Sequence, residues 1–122
     1  MATCVEFISV LRNSSPQVHI FHNQTQVYSE HQALAGYYDD VLDIIDRLVE
    51  TYTALYGEMT GYKSAPYRDY VSKDETLTYF KTLYSYVQKN RSCFEDSFQQ
   101  NIIDELSELI AQTIFRLNLN KV

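Results

Sequence analysis

Tryptophan is absent from the 122 residues, glycine occurs three times and proline twice. So few turn-forming residues exclude an all-strand sandwich or barrel, which needs tight turns in quantity. Cationic side chains are scarce too, ten against sixteen carboxylates for a formal charge of −6. Phosphate binding draws most of its affinity from clustered cations, and no Lys/Arg cluster exists, so no nucleic-acid partner is expected. No apolar run is long enough to span a bilayer, and MATCVEF lacks the basic region and apolar run of a signal peptide. The chain is therefore expected to be soluble and cytoplasmic, with no membrane partner. Cys4 and Cys93 have no CxxC spacing and are expected to be reduced and partly buried. Glycine-rich phosphate loop, nucleophile elbow and Cys/His triad are all missing, which removes kinase and hydrolase chemistry.

What is present reads as helix. Hydrophobic residues make up 45% of the chain and include eleven tyrosines, which suit either a helix surface half buried in an assembly or core and loop positions of a monomer. Val5, Ile8, Leu11, Val18 and Phe21 recur at helical spacing and predict helix A over about 3–23, with a break near 14–16 at Ser14, Ser15 and Pro16. Leu34, Tyr38, Val41, Ile45, Leu48, Tyr52 and Leu55, with Tyr37 and Ile44 as a second edge, predict one helix B from Val27 to Tyr56, stopped by Gly57. Residues 58–73 lack a period and read as an irregular connection. Ser72 with Glu75 is a capping box that starts helix C, whose face runs through Leu77, Phe80, Tyr84, Val87, Arg91 and Phe94. A second box, Ser97 with Gln100, starts helix D, which carries Phe98, Ile102, Leu106, Leu109, Ile110, Thr113 and Leu117; Ser92 with Glu95 is a competing start. Four helices with a long connection after the second and a tight one after the third predict an all-α, ferritin-like four-helix bundle in a single domain, 1–122, with a long B–C crossover that makes B and C parallel.

All three histidines fall in HIFHNQTQVYSEH, residues 19–31. They either coordinate something or satisfy a local polar core. Asp46 and Glu50 lie four residues apart on helix B, and His31 lies about 60° and about 100° from them around the axis, so all three share a broad side. They do not share a height, since His31 and Asp46 stand about 22 Å apart along a helix. A twofold partner crossing antiparallel near Tyr38 and Asp39 would bring His31 of one chain to Asp46 and Glu50 of the other. His19 could join His31 only if the chain reverses between His22 and Tyr28, for which Asn23 and Gln24 are suited. His22 is expected either to face solvent or to add a further ligand. Asp39, Asp40 and Asp43 read as a solvated face or as polar contacts near the twofold axis, and Glu30 and Asp46 each read as a helix-surface charge. Asp46 interrupts the apolar run VLDIIDRLV with no lysine or arginine four residues away, so a buried carboxylate there would need a cation. Two imidazoles and two carboxylates suit iron or zinc better than magnesium or calcium.

The spacing of His19, His31, Asp46 and Glu50 resembles the ferroxidase motif of the Dps miniferritins, the starvation-protein branch of the ferritin superfamily. The HxxH followed by QT, HxAL and YY is similar to small ferritin-like proteins of tailed-phage genomes, and the ending with Phe115 and Leu117 is also family-like. The resemblance implies a ferroxidase that oxidises and sequesters ferrous iron at a site shared between twofold mates, in a homo-oligomer that extends to a dodecameric cage. It implies His19, His31, Asp46 and Glu50 as metal ligands, with His22 as a possible addition and zinc as the alternative ion, in a host cytoplasm or a virion. Three departures stand against this pattern. Ala35 replaces an aspartate that helps to hold the iron, Ile20 replaces an aromatic, and the lysine-rich DNA-binding arm and the short helix between B and C are missing. The departures leave open a second reading, a helical interaction or virion-associated protein without ferroxidase activity.

Overall fold

The computed structural model describes residues 1–119; the last three residues of the expected domain lie outside them. Among the described residues the chain is all helical, with α1 at Cys4–Gln24, α2 at Tyr28–Tyr38, α3 at Asp40–Tyr56, α4 at Lys73–Asn90, a 3-10 turn at Arg91–Cys93 and α5 at Ser97–Leu117. The periodic stripes read from the sequence meet in one core. Phe7, Ile8, Leu11, Val18 and Phe21 pack with Leu34, Tyr37, Val41, Ile45 and Leu48, and against them lie Phe80, Val87, Ile103, Leu106 and Ile110. Leu55, Tyr84 and Phe98 belong to the expected stripes but are exposed. Leu55 is in the last turn of α3 and Phe98 in the first of α5, and on α4 the buried stripe runs through Leu83 instead of Tyr84.

Two boundaries differ from the sequence reading. The break expected near 14–16 does not occur: α1 passes through Pro16. Proline there removes one ladder bond, the one to the carbonyl of Arg12, and Arg12 is an exposed residue whose carbonyl can be solvated. The interruption falls instead in helix B, which divides at Asp39 into α2 and α3. Its cause is long-range. The Ser15 hydroxyl, on α1, donates to the carbonyl of Tyr38 at 2.7 Å, and the N–H of Leu42 bonds to Asp39, one residue nearer than the α-helical pattern, at 3.1 Å. Asp39 keeps right-handed dihedrals, so the axis bends without a loop.

The caps follow the sequence closely. Thr3 and Glu6 form a full capping box on α1, the Ser72 hydroxyl accepts the N–H of Glu75 at 3.2 Å, and Gly57, at φ 93°, ends α3. The start of α5 is different: Asp96 precedes Ser97 without a side-chain cap bond. Gln100, expected to complete that box, instead donates to the carbonyls of Arg91 and Phe94 at 2.8 and 2.7 Å. It thereby holds the turn before its helix.

Pairs across the bundle set the helix directions. His31 and Tyr38 meet the second half of α1, whereas Tyr52 lies near its start, so α2 and α3 oppose α1. Tyr79 touches Phe21 and Asn90 accepts from the N–H of Ala2, so α4 opposes α1 as well. The connection 57–72 returns along α1 between them. It is fastened there at the N–H of Lys63 to Ser9 (3.0 Å), at both backbone groups of Arg68 to the Gln17 amide (2.9 Å each) and at the N–H of Tyr70 to Gln24 (2.6 Å). No helix among the described residues is long and apolar enough to cross a membrane.

Candidate metal centre

The end of α1 and the start of α2 gather the three histidines. The reversal expected between His22 and Tyr28 is present, although Asn23 and Gln24 stay inside α1 and the turn is made one step later. Thr25 ends the helix by donating its N–H to Phe21 at 3.0 Å. Its hydroxyl accepts the N–H of Val27 at 3.2 Å and donates to Glu30 at 3.0 Å. A serine or threonine in this position replaces a backbone turn bond with a side-chain one.

That turn lays His22 against His31. The rings stack with centroids 3.6 Å apart and planes 21° off parallel, and each ring bonds to the other residue's backbone. Nδ1 of His22 donates to the carbonyl of His31, and Nδ1 of His31 donates to the carbonyl of His22, both at 2.7 Å. A carbonyl oxygen has no proton to give, so both rings carry hydrogen on Nδ1 and the neutral imidazole keeps its lone pair on Nε2. Fixing one nitrogen with a backbone carbonyl is the usual way a protein prepares the other to bind a metal. Gln99 Oε1 is the one buried side-chain nitrogen or oxygen without a partner among the described residues, so neither Nε2 is sealed in the interior. His22 itself is only 8% exposed, which corrects the expectation that it faces solvent. His19 is exposed and stacks on Tyr38 at 4.2 Å, with its ring 5.9 Å from that of His22.

The acidic half of the expected site is elsewhere. Asp46 and Glu50 are exposed on α3, because Val41, Ile44, Ile45 and Leu48 take the inward positions. Within one chain Asp46 is therefore not buried among apolar residues, and its side chain meets water. Asp40 and Asp43 are exposed on the same element, as is Asp39 just before it. Between the two acids of interest, Arg47 forms a forked ion pair with Glu105 on α5, at 2.8 and 3.0 Å. No group of three or more His, Cys, Asp or Glu among the described residues is arranged to hold a metal ion. The histidines come together; the acids do not join them.

Glu30 corrects a second expectation. It is buried at 6% exposure, receiving the Thr25 hydroxyl and, at 2.5 Å, the hydroxyl of Tyr70. Burial and this carboxylate together push the Tyr70 hydroxyl above its ordinary pKa. Glu30 stands four and seven residues before Leu34 and Tyr37, on the same inward stripe. A carboxylate in a core register was the signal that it is held. Gln17 carried the same signal on α1: at 2% exposure it secures Arg68 at both backbone groups.

No curated protein and no solved structure matches the chain. A family of unknown function, DUF5856, matches residues 22–117. The matched span includes His22, His31, Asp46 and Glu50 and starts three residues after His19. Because it covers most of the sequence, the chain belongs to the DUF5856 family of unknown function.

Proposed function

We propose that this protein is a ferritin-like bundle of the Dps type, with a long crossover between its second and third bundle helices, and that it takes up ferrous iron as substrate between twofold-related copies. One observation carries the reading. His22 and His31 stack and lock each other's Nδ1 hydrogens onto backbone carbonyls, which leaves the Nε2 lone pair of each ring free of that bond. Imidazole nitrogen suits iron, zinc and their neighbours, and hard cations such as magnesium and calcium poorly. His31 and His19, with His22 beside them, would supply the nitrogen donors. Asp46 and Glu50 of a twofold-related copy would supply the oxygen donors, which fits their exposure on α3. Bound there, iron(II) would lose an electron to oxygen or peroxide and be kept as ferric product; zinc is the alternative ion, held as a dimer staple. The resemblance to tailed-phage ferritin-like proteins is the ground for assigning the work to a host cytoplasm or a virion.

A second reading, a bundle that serves as an interaction or virion-associated protein without metal chemistry, draws on Ala35 and on the lack, among the described residues of one chain, of a group of three or more His, Cys, Asp or Glu. Aerobic addition of ferrous iron separates the two. The first reading expects ferric absorbance to rise faster than in buffer, and to slow at least tenfold in His31→Ala and in Glu50→Ala. Solution mass should be a multiple of two chains, and light scattering distinguishes a dimer from a twelve-subunit cage. A monomer that leaves slow autoxidation unchanged supports the second reading.

A further inference from the structure

At the opposite end of α1 from the histidines, three elements line a half-open cavity of about 160 Å³. Cys4 is the first residue of α1, Cys93 ends the 3-10 turn and Gln99 lies in the first turn of α5. All three line the cavity, together with Glu95 and the rings of Tyr52 and Tyr56. Edge contacts of Phe94 with Phe7 (5.6 Å) and with Tyr52 (6.2 Å) fix the turn that carries Cys93.

Gln99 is 0% exposed and its Oε1 has no hydrogen-bond partner. Nε2 of Gln99 donates to the Thr51 hydroxyl at 3.2 Å, and that hydroxyl has the carbonyls of Arg47 (2.7 Å) and Leu48 (3.2 Å) within reach of its own proton, so Oε1 is the end of the amide left without a partner. An unpaired acceptor with no access to water is uncommon in folded proteins and points to something that meets it. The polar side chains that line the cavity are two thiols, an amide, a carboxylate and two phenols. No lysine, arginine or histidine lines it.

We propose that Cys4, Cys93 and Gln99 form a binding site for a soft divalent cation of the zinc class. Sulfur selects closed-shell and thiophilic ions, and the amide oxygen adds a third donor, with water completing a tetrahedron. Binding converts two Cys–SH and M²⁺ into M(S–Cys)₂ and two protons, so the cavity gains no net charge, which is the cheapest arrangement for a buried ion. The proposal is independent of the iron reading, because no histidine takes part.

Cadmium is the probe, since thiolate binding gives a sulfur-to-metal charge-transfer absorption that imidazole does not. Under anaerobic, reducing conditions the wild-type protein should develop this band to saturation at one equivalent per chain, with two protons released. The band should vanish in Cys4→Ser and in Cys93→Ser, persist in His31→Ala, and need about tenfold more cadmium in Gln99→Leu. A second measurement needs no variant: cadmium should protect both thiols of the wild type from maleimide, read by intact mass. No band in the wild type, a band kept in Cys93→Ser or lost in His31→Ala, or alkylation unaffected by cadmium would each overturn the proposal.

Discussion

Glu6 closes the first turn of α1 with its carboxylate held from two sides, by the Lys63 ammonium at 2.7 Å and by the N–H and hydroxyl of Thr3. These contacts, Lys63 first, lower its pKa from 4.5 to about 2. A depressed carboxylate contributes stability that is present above its unfolded value and is lost as pH falls through the folded one. The contribution should therefore disappear between pH 4.5 and about 2. Thermal melts across that window should show the wild type falling toward a Glu6→Gln variant, the gap being widest above pH 4.5 and closed near pH 2. A gap that is constant with pH would mean that the charge does not matter. Gln17 and Glu30 act differently at the same scale, as polar groups in core registers that each bond to the 57–72 connection. Their register was readable in the sequence. Their partners, Arg68 and Tyr70, lie 51 and 40 residues away in a stretch without period, and no local pattern names them.

At the scale of the helix, the sequence places the long stripes well and the interruptions badly. The stripes depend only on which residues repeat every three or four positions, as Leu34, Val41, Ile45 and Leu48 do. The interruptions depend on competition for single hydrogen bonds. Pro16 offers a local reason to break α1, yet the helix gives up one bond and continues, since Val18 and Phe21 beyond it are buried in the common core. Asp39 offers no local reason to bend, and the bend comes from a serine of another helix. Replacing Ser15 by Ala frees the Tyr38 carbonyl for the N–H of Leu42. Urea unfolding should then show a loss of about 0.5 to 1.5 kcal/mol, and hydrogen exchange at Leu42 should slow as the α-helical bond forms. A Leu42 amide that exchanges as fast as before would assign the bend to another cause. The candidate site divides along the same line: the spacing of the histidines with Asp46 and Glu50 is local arithmetic, whereas the stacking of His22 on His31 depends on the Thr25 turn. That turn reads only as three polar residues.

For the molecule as a whole, the connection 57–72 is almost entirely exposed in its side chains and yet fixed in its backbone. Protease access depends on local opening of the backbone, and fastened segments resist it. Limited digestion with a non-specific protease should cut residues 64–69 slowly in the wild type. Gln17→Leu, which removes both bonds to Arg68, should be cut there several times faster while the rest of the pattern is unchanged. Equal rates would show that the connection is protected by something other than α1.

The same fastening limits how copies of this chain can combine. To lend α4 and α5 to a neighbour, a molecule would first have to peel four backbone groups of the connection away from Ser9, Gln17 and Gln24, with nothing nearby to replace them. Trading halves is thus disfavoured from the outset, and any pairing of copies must be made by finished bundles meeting along their outer faces, of which α3 offers the most acidic.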